Sequence, residues 1–76
     1  MLIEIFGHNQ CMYCKEAKKL CEMADLDHQY YDMMDDMSYH DELEKRIGKV
    51  KTVPQIFIDG EHTGGFTELK EAMKNG

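Results

Sequence analysis

Two cysteines spaced as CxxC, Cys11 and Cys14, stand between a strand pattern and a helix pattern. Residues 2–6 are mostly apolar and β-branched, and Gly7 follows them, which predicts a buried strand that ends in a loop. Beyond the first cysteine, apolar residues recur at helical spacing and predict a helix over residues 12–24. The CxxC pair is therefore expected at the N-terminus of a helix, directly after a strand.

The next patterns continue this alternation of strand and helix. Residues 28–32 predict a second strand, and the strand-helix-strand order implies that the first two strands run parallel. Ser38, followed by Asp41, predicts the capped start of a second helix, and Gly48 predicts its end. The first two thirds of the chain thus predict a parallel strand pair with two helices.

The last third of the chain predicts a hairpin and a third helix. Residues 53–58 predict a strand with Pro54 at its entry, where the missing N–H donor is tolerated. The pair Asp59-Gly60 is a strong turn signal into a short fourth strand over residues 61–63. Thr67 predicts the N-cap of the last helix. The complete order is βαβαββα, which is an α/β fold.

The size of the chain limits what its cysteines can do for stability. With 76 residues and three cysteines, the chain has room for one domain, residues 1–76, and cannot pair all of its thiols. A disulfide across the short CxxC loop removes little entropy from the unfolded chain and is a poor structural crosslink. The spacing therefore indicates chemistry, whereas Cys21, on the apolar face of the first helix, is predicted to be a core thiol.

The charge balance excludes several classes of partner. A net charge of −6 argues against binding to nucleic acid or to anionic membranes, because both require an excess of Lys and Arg. No apolar run approaches the roughly 18 residues that a membrane-spanning helix needs. The N-terminus also lacks the basic start and apolar run of a secretory signal. We therefore expect a cytoplasmic protein.

A cysteine at a helix N-terminus is placed to act as a nucleophile. The helix dipole and the unpaired backbone N–H groups favour the thiolate of Cys11, and Lys15 and His8 lie close to it in sequence. A thiol that is ionised near neutral pH attacks disulfides faster. Cys14, one turn further along, is expected to be more shielded and to resolve a mixed disulfide rather than to start one.

A CxxC pair is also a common half of a zinc site. Such a site needs two more ligands, and His28, His40 and His62 are scattered without a ligand spacing. A CxxC beside a strand-helix-strand in a chain expected in the cytoplasm favours redox chemistry over metal binding. No metal site is predicted.

Four segments in the right order and spacing give the chain a family resemblance. They are Cys11-Met12-Tyr13-Cys14, Thr52-Val53-Pro54-Gln55-Ile56-Phe57-Ile58, Asp59-Gly60 and Gly64-Gly65-Phe66. On these motifs the chain resembles a glutaredoxin along nearly its whole length, with the small size of viral or bacterial members. The resemblance implies a thioredoxin-like fold, a four-stranded mixed sheet flanked by three helices. It also implies a cis Pro54 that turns the backbone of Val53 toward the CxxC.

The resemblance further implies a glutathione site. The implied contacts are His8, Tyr13, Lys51, Thr52, Val53, Pro54, Gly65, Phe66 and Thr67. In this arrangement Tyr13 would flank the glutathione sulfur, and Thr52 and Val53 would hold its cysteinyl backbone. Residues 65–67 would receive the γ-glutamyl end at the N-terminus of the last helix, where backbone N–H groups bind carboxylates.

Four residues in or near these motifs carry chemistry of their own. Lys51 or Lys49, from the basic stretch before the proline, could pair with the glycine carboxylate of glutathione. His8 stands where the family often has a lysine, so its contribution to Cys11 would depend on pH. Met12 replaces a proline that is usual between the two cysteines, which should alter the redox potential.

The activity implied by the resemblance is glutathione-dependent thiol-disulfide oxidoreduction. Cys11 would attack a glutathionylated or disulfide-bonded protein, and a second glutathione or Cys14 would then release it. Glutathione is a co-substrate in this scheme, and no bound cofactor is expected. We expect a monomer, and the family resemblance makes ribonucleotide reductase an expected substrate.

Two alternatives stay open on the sequence. A glutaredoxin-like redoxin would take electrons from thioredoxin reductase, but such redoxins tend to carry glutamine where this chain has Tyr13. An iron-sulfur cluster carrier would share a cluster between two copies through Cys11 and glutathione. That role is more typical of relatives with glycine after the first cysteine, where this chain has Met12.

Overall fold

The computed structural model of the chain describes residues 1–75, and its elements follow the predicted order. They are β1 Leu2–Gly7, α1 Met12–Met23, β2 Asp27–Asp32, α2 Ser38–Ile47, β3 Gln55–Ile58, β4 Glu61–Gly64 and α3 Phe66–Asn75. The four strands form one mixed sheet in the order β2-β1-β3-β4. β1 is parallel to β2 and antiparallel to β3, and β3 is antiparallel to β4. The predicted α/β fold with four strands and three helices is confirmed.

The sheet separates two apolar clusters, because side chains alternate between its faces. On one face Ile3 and Ile5 of β1 pack with Ala17 and Cys21 of α1 and with Leu69 of α3. All five of these side chains are completely buried. The helix spacing of the apolar residues therefore gave the correct core face for α1, and Cys21 is a core thiol as predicted.

The second cluster lies on the opposite face of the sheet, under α2. Phe6 of β1 packs there with Leu43 of α2 and Phe57 of β3. The guanidinium of Arg46 lies 5.3 Å from the centre of the Phe6 ring and 5.0 Å from that of Phe57. It also forms ion pairs of 3.2 Å with Glu4 and of 3.2 Å with Glu42. Arg46 therefore joins α2 to the sheet.

The start of α2 differs from the prediction in its cap. Ser38 is the first helical residue, and Met37 takes the N-cap position without a side-chain hydrogen bond. The Asp36 carboxylate instead accepts hydrogen bonds from the backbone N–H of Ser38 at 2.9 Å and from its hydroxyl at 2.7 Å. The predicted terminator is confirmed, since Gly48 follows the helix with a φ of 83°.

The start of α3 differs in the same way. The helix begins at Phe66, so Thr67 lies inside its first turn and is not the N-cap that the sequence predicted. The residue before the helix is Gly65, whose backbone N–H donates to the Glu68 carboxylate at 2.6 Å. Its carbonyl accepts the first helical bond from Leu69 at 3.0 Å.

The third strand is shorter than predicted. β3 begins at Gln55, so Val53 and Pro54 lie in the loop before it, and the peptide bond between them is cis. The predicted hairpin turn follows the strand, with φ of 51° at Asp59 and 86° at Gly60. Among residues 1–75, no helix is both long and apolar enough to cross a membrane.

Candidate active site

Cys11 is the N-cap residue of α1, at the end of the loop that follows β1. Its Sγ accepts a hydrogen bond from the backbone N–H of Cys14 at 3.3 Å, which satisfies one of the free donors at the helix start. The Cys11 thiol also donates to the Val53 carbonyl at 3.7 Å. These two hydrogen bonds fix the position of the Cys11 sulfur. Because Cys11 is partly exposed, the sulfur is also open to a substrate.

Cys14 lies on the first turn of α1, and its side chain has no exposed surface. Burial is the main cause that raises the pKa of the Cys14 thiol to about 12, and the hydrogen bond with Cys11 raises it further. Cys14 is therefore a protonated thiol at neutral pH. The pair combines one reachable sulfur and one shielded sulfur, which is the arrangement that a nucleophile and a resolving thiol need.

The backbone of Gly7 and the side chain of Tyr30 enclose the Cys14 sulfur. A Cβ atom on Gly7 would lie less than 3.0 Å from the Cys14 Sγ. The Tyr30 hydroxyl donates to the His8 carbonyl at 3.1 Å, and the Cys11 N–H donates to the same carbonyl at 3.2 Å. Tyr30 reaches this place because the parallel register sets it opposite Ile5 of β1. The sequence analysis did not assign Tyr30 to the site.

A groove of about 210 Å³ opens beside Cys11. Its lining residues are Tyr13, Thr52, Val53, Pro54, Gly65, Phe66, Thr67 and Glu68. The groove thus brings together seven of the nine residues for which the sequence predicted glutathione contacts. The rings of Tyr13 and Phe66, with centroids 5.9 Å apart, form an aromatic wall. The groove therefore offers an aromatic wall, a helix N-terminus and the carbonyl of Val53 close to the reactive sulfur.

The other two predicted contacts, His8 and Lys51, do not line this groove. His8 contributes its carbonyl to the loop before α1, and its ring Nδ1 is buried without a hydrogen-bond partner among residues 1–75. Lys51 is exposed and directly precedes Thr52 of the groove. Arg46, from the same basic stretch of sequence, forms an ion pair with Glu4 on the face of the sheet that α2 covers.

Glu68 lines the groove and was missed by the sequence analysis. Its carboxylate accepts the Gly65 N–H at 2.6 Å and thereby caps α3. This contact also fixes the negative charge of Glu68 at one end of the groove, where the N-terminus of α3 lies. The available signal was the spacing, because a glutamate three residues after an N-cap is the position that reaches back to the cap N–H.

Three side chains on α2 lie close enough together to be considered as metal ligands. They are His40, Asp41 and Glu44. His40 and Glu44 already form a contact of 3.0 Å with each other, and neither cysteine of the CxxC belongs to the group. His28 instead contacts the Leu26 carbonyl, and His62 contacts Gln55. The CxxC therefore stands apart from the grouped histidine and carboxylates.

Known proteins match the chain in sequence and in structure. The family model described as Glutaredoxin matches residues 3–63. The chain is 42% identical to the glutaredoxin of Haemophilus influenzae, in an alignment that covers 97% of this chain and 92% of that relative. Its fold is similar to that of reduced Escherichia coli glutaredoxin, with a TM-score of 0.84, 35% identity, and coverage of 100% of this chain and 96% of the other.

A structure of a buckwheat glutaredoxin-glutathione complex is also similar. Its TM-score is 0.78 at 31% identity, and the match covers 97% of this chain and 69% of that one. The family match spans most of the chain, and the strand order, the helices and the CxxC agree with it. The chain therefore belongs to the glutaredoxin family, has the thioredoxin-like fold, and is a thiol-disulfide oxidoreductase.

Proposed function

We propose that the groove beside Cys11 binds glutathione, and that the protein uses glutathione to reduce glutathionylated proteins and protein disulfides. The convergence of the predicted contacts on one groove supports this proposal most directly. One of these residues, Val53, also contacts the Cys11 thiol at 3.7 Å. The similar buckwheat glutaredoxin was solved as a complex with glutathione.

The chemistry of the groove matches the parts of glutathione. The aromatic wall of Tyr13 and Phe66 accommodates the apolar region around the ligand's sulfur. The backbone of Val53 is available to pair with the cysteinyl backbone of the ligand, as an added strand would. The N-terminus of α3 attracts the γ-glutamyl carboxylate, and the Glu68 carboxylate attracts the neighbouring ammonium group.

One route uses Cys11 alone. The Cys11 thiolate attacks the glutathione sulfur of a glutathionylated protein, the bond to the protein sulfur breaks, and the protein leaves as a thiolate that takes up a proton. A second glutathione thiolate then attacks the glutathione bound to Cys11. Glutathione disulfide leaves, and Cys11 is free again as the thiolate.

The other route uses both cysteines. Cys11 attacks a protein disulfide and remains joined to one protein sulfur, and Cys14 then attacks Cys11 and releases that protein as a thiol. Two glutathione molecules reduce the resulting Cys11–Cys14 disulfide. Because the Cys14 side chain is completely buried, it reacts with its neighbour and not with substrates from solution.

The remaining expectations concern the cell. We assign the protein to the cytoplasm, where thiols are kept reduced, and propose that it is a monomer. Both routes consist only of thiol-disulfide exchange, so they proceed with glutathione as co-substrate and without a resident cofactor. We retain ribonucleotide reductase as the candidate protein substrate from the family resemblance.

The decisive experiment compares two reductants of the oxidised protein. We expect glutathione to restore both thiols, and thioredoxin reductase with NADPH to restore neither. Cys11→Ser should abolish reduction of glutathionylated and disulfide substrates alike, whereas Cys14→Ser should retain the deglutathionylation activity. Recovery with thioredoxin reductase alone would contradict the proposed use of glutathione, and an inactive Cys14→Ser protein would contradict the one-cysteine route.

A further inference from the structure

In the two-cysteine route Cys14 must become a thiolate, although its surroundings disfavour the charged form. Cys14 must lose its proton before it attacks Cys11, but its side chain is completely buried. A buried thiolate is stable only when hydrogen-bond donors replace the water it has lost. The question is which donor can reach the Cys14 sulfur.

The Tyr30 hydroxyl is the side-chain donor placed for this role. A Cβ atom built on Gly7 would lie 3.2 Å from the Tyr30 hydroxyl oxygen and less than 3.0 Å from the Cys14 Sγ. The hydroxyl oxygen and the sulfur therefore both lie against Gly7, at the end of β1. The hydroxyl now donates to the His8 carbonyl at 3.1 Å. That carbonyl also accepts the Cys11 N–H at 3.2 Å, so it keeps a donor if the hydroxyl turns away.

We infer that Tyr30 is a positioning residue for the resolving step, and that its hydroxyl donates a hydrogen bond to the Cys14 sulfur as that sulfur becomes a thiolate. The inference rests on the proposed two-cysteine route. Rotation about the C–O bond of Tyr30 moves the hydrogen from the His8 carbonyl toward the sulfur and leaves the oxygen in place. A hydrogen bond to a charged acceptor is stronger than one to a neutral acceptor, so the exchange favours the thiolate.

The resolving step then balances as an ordinary thiol-disulfide exchange. The proton of Cys14 passes to water, the Cys14 thiolate attacks the Cys11 Sγ, and the Cys11–Cys14 bond forms. The bond between Cys11 and the substrate breaks, and its electron pair leaves on the substrate sulfur, which takes a proton from water. Tyr30 is neither consumed nor ionised, because it only supplies a hydrogen bond.

Several titratable and charged groups face Tyr30 and Cys14. They are Cys11, the N-cap residue of α1, Lys18 and Cys21 within α1, and Asp32 from β2. The Lys18 Nζ lies 5.4 Å from the centre of the Tyr30 ring. Burial, together with the nearby Cys14, raises the pKa of the Tyr30 hydroxyl above its usual range. The hydroxyl therefore keeps its proton near neutral pH and stays a donor.

The test is the substitution Tyr30→Phe, which removes the hydroxyl and keeps the ring. Tyr31→Phe is the matched control, because the neighbouring Tyr31 hydroxyl lies on the other face of the sheet and contacts Glu4 and Gln29. The probe is the aromatic disulfide dithiobisnitrobenzoate, mixed with reduced protein in a stopped-flow instrument. Attack by Cys11 releases a first coloured thionitrobenzoate, and attack by Cys14 on the mixed disulfide releases a second.

We expect Tyr30→Phe to leave the first release unchanged and to slow the second by about tenfold near neutral pH, as the loss of one hydrogen bond to a charged group predicts. The pH midpoint of the second release should move upward in the same variant. Tyr31→Phe should match wild type in both phases.

Four outcomes would overturn the inference. Equal slowing of both phases in Tyr30→Phe would indicate a general structural defect, and an unchanged pH midpoint of the second phase would show that the hydroxyl does not act on Cys14. A wild-type protein that releases only one thionitrobenzoate would overturn the proposed two-cysteine route itself. If wild type releases both thionitrobenzoates and Tyr30→Phe releases them at the same rates, the role of Tyr30 is overturned and the two-cysteine route stands.

Discussion

The sulfur of Cys14 occupies the space that a side chain on Gly7 would need. A Cβ atom on Gly7 would lie less than 3.0 Å from that sulfur, which is closer than Cβ atoms approach other atoms in real proteins, and it would also lie 3.0 Å from the Cβ of Cys14. The last residue of β1 must therefore be glycine for α1 to pack as it does. This contact links the strand end directly to the resolving cysteine.

Gly7→Ala should destabilise the fold and impair the resolving step. The added methyl overpacks a closed site, and we expect a loss of about 1–3 kcal/mol in the free energy of unfolding, measured by urea denaturation. The control is the same substitution in a Cys14→Ala background, where the sulfur is absent. A Gly7→Ala effect that is just as large in that background would show that the clash with Cys14 is not its cause.

The raised pKa of Cys14 predicts a loss of stability at alkaline pH. In the unfolded chain the thiol ionises near its ordinary value of 9.0, whereas the folded chain holds the proton up to about 12. Between these values the folded state binds more protons, so the stabilising contribution is complete below the lower value and is lost as pH rises through the upper one. The loss from this one thiol is at most about 1.4 kcal/mol per pH unit.

Cys14→Ala isolates this contribution. Cys21 also has a raised pKa, and it is present in both proteins. The pKa of Tyr30 is raised mainly by burial, which the substitution leaves in place. We expect the urea midpoint of Cys14→Ala to fall less steeply with pH than that of wild type between about pH 9 and 11. Parallel curves would contradict the assignment to Cys14.

Arg46→Ala should destabilise the α2 side of the molecule by about 1–2 kcal/mol. The Arg46 side chain is 31% exposed, so its ion pairs with Glu4 and Glu42 contribute modestly. Most of the loss should come from the contacts of the guanidinium and its stem with the rings of Phe6 and Phe57. Lys45→Ala, at an exposed neighbour on the same helix, should change stability by less than about 0.5 kcal/mol. Equal effects of the two substitutions would contradict a specific role for Arg46.

Glu68→Ala should lower stability by about 1 kcal/mol, because it leaves the Gly65 N–H without its acceptor. Glu68→Gln keeps an oxygen that can accept this hydrogen bond and should retain most of the stability. The comparison by thermal or urea unfolding separates the cap from the charge. A Glu68→Gln variant as unstable as Glu68→Ala would mean that the negative charge, and not the hydrogen bond, stabilises the helix start.

Local patterns predicted the parts of the fold that depend on nearby residues. The strand before Cys11, the helix after it and the turn at Asp59-Gly60 all have strong signals within a few residues, and the structure has each of them. Cys14 is buried and Cys11 partly exposed, as expected from their places one turn into the helix and at its start. The family resemblance supplied the cis bond before Pro54, which composition alone did not decide.

The parts that escaped prediction depend on distant contacts or on competing local bonds. Tyr30 reaches Cys14 only through the register of the parallel strands, which no pattern near Tyr30 reveals. The cap of α3 was assigned to Thr67 because a threonine is a good cap, but a carboxylate at Glu68 binds the Gly65 N–H and starts the helix earlier. Ser38 was likewise predicted to cap α2, but the Asp36 carboxylate accepts the hydrogen bond from the Ser38 N–H.

The division of the core by the sheet has a practical consequence. α1 and α3 border the reactive sulfur and the groove, whereas α2 packs on the opposite face and contributes no residue to the groove lining. The outer surface of α2 is therefore the side on which to attach a dye, a tether or a solid support. An enzyme immobilised there would present its redox end freely to bulky protein substrates.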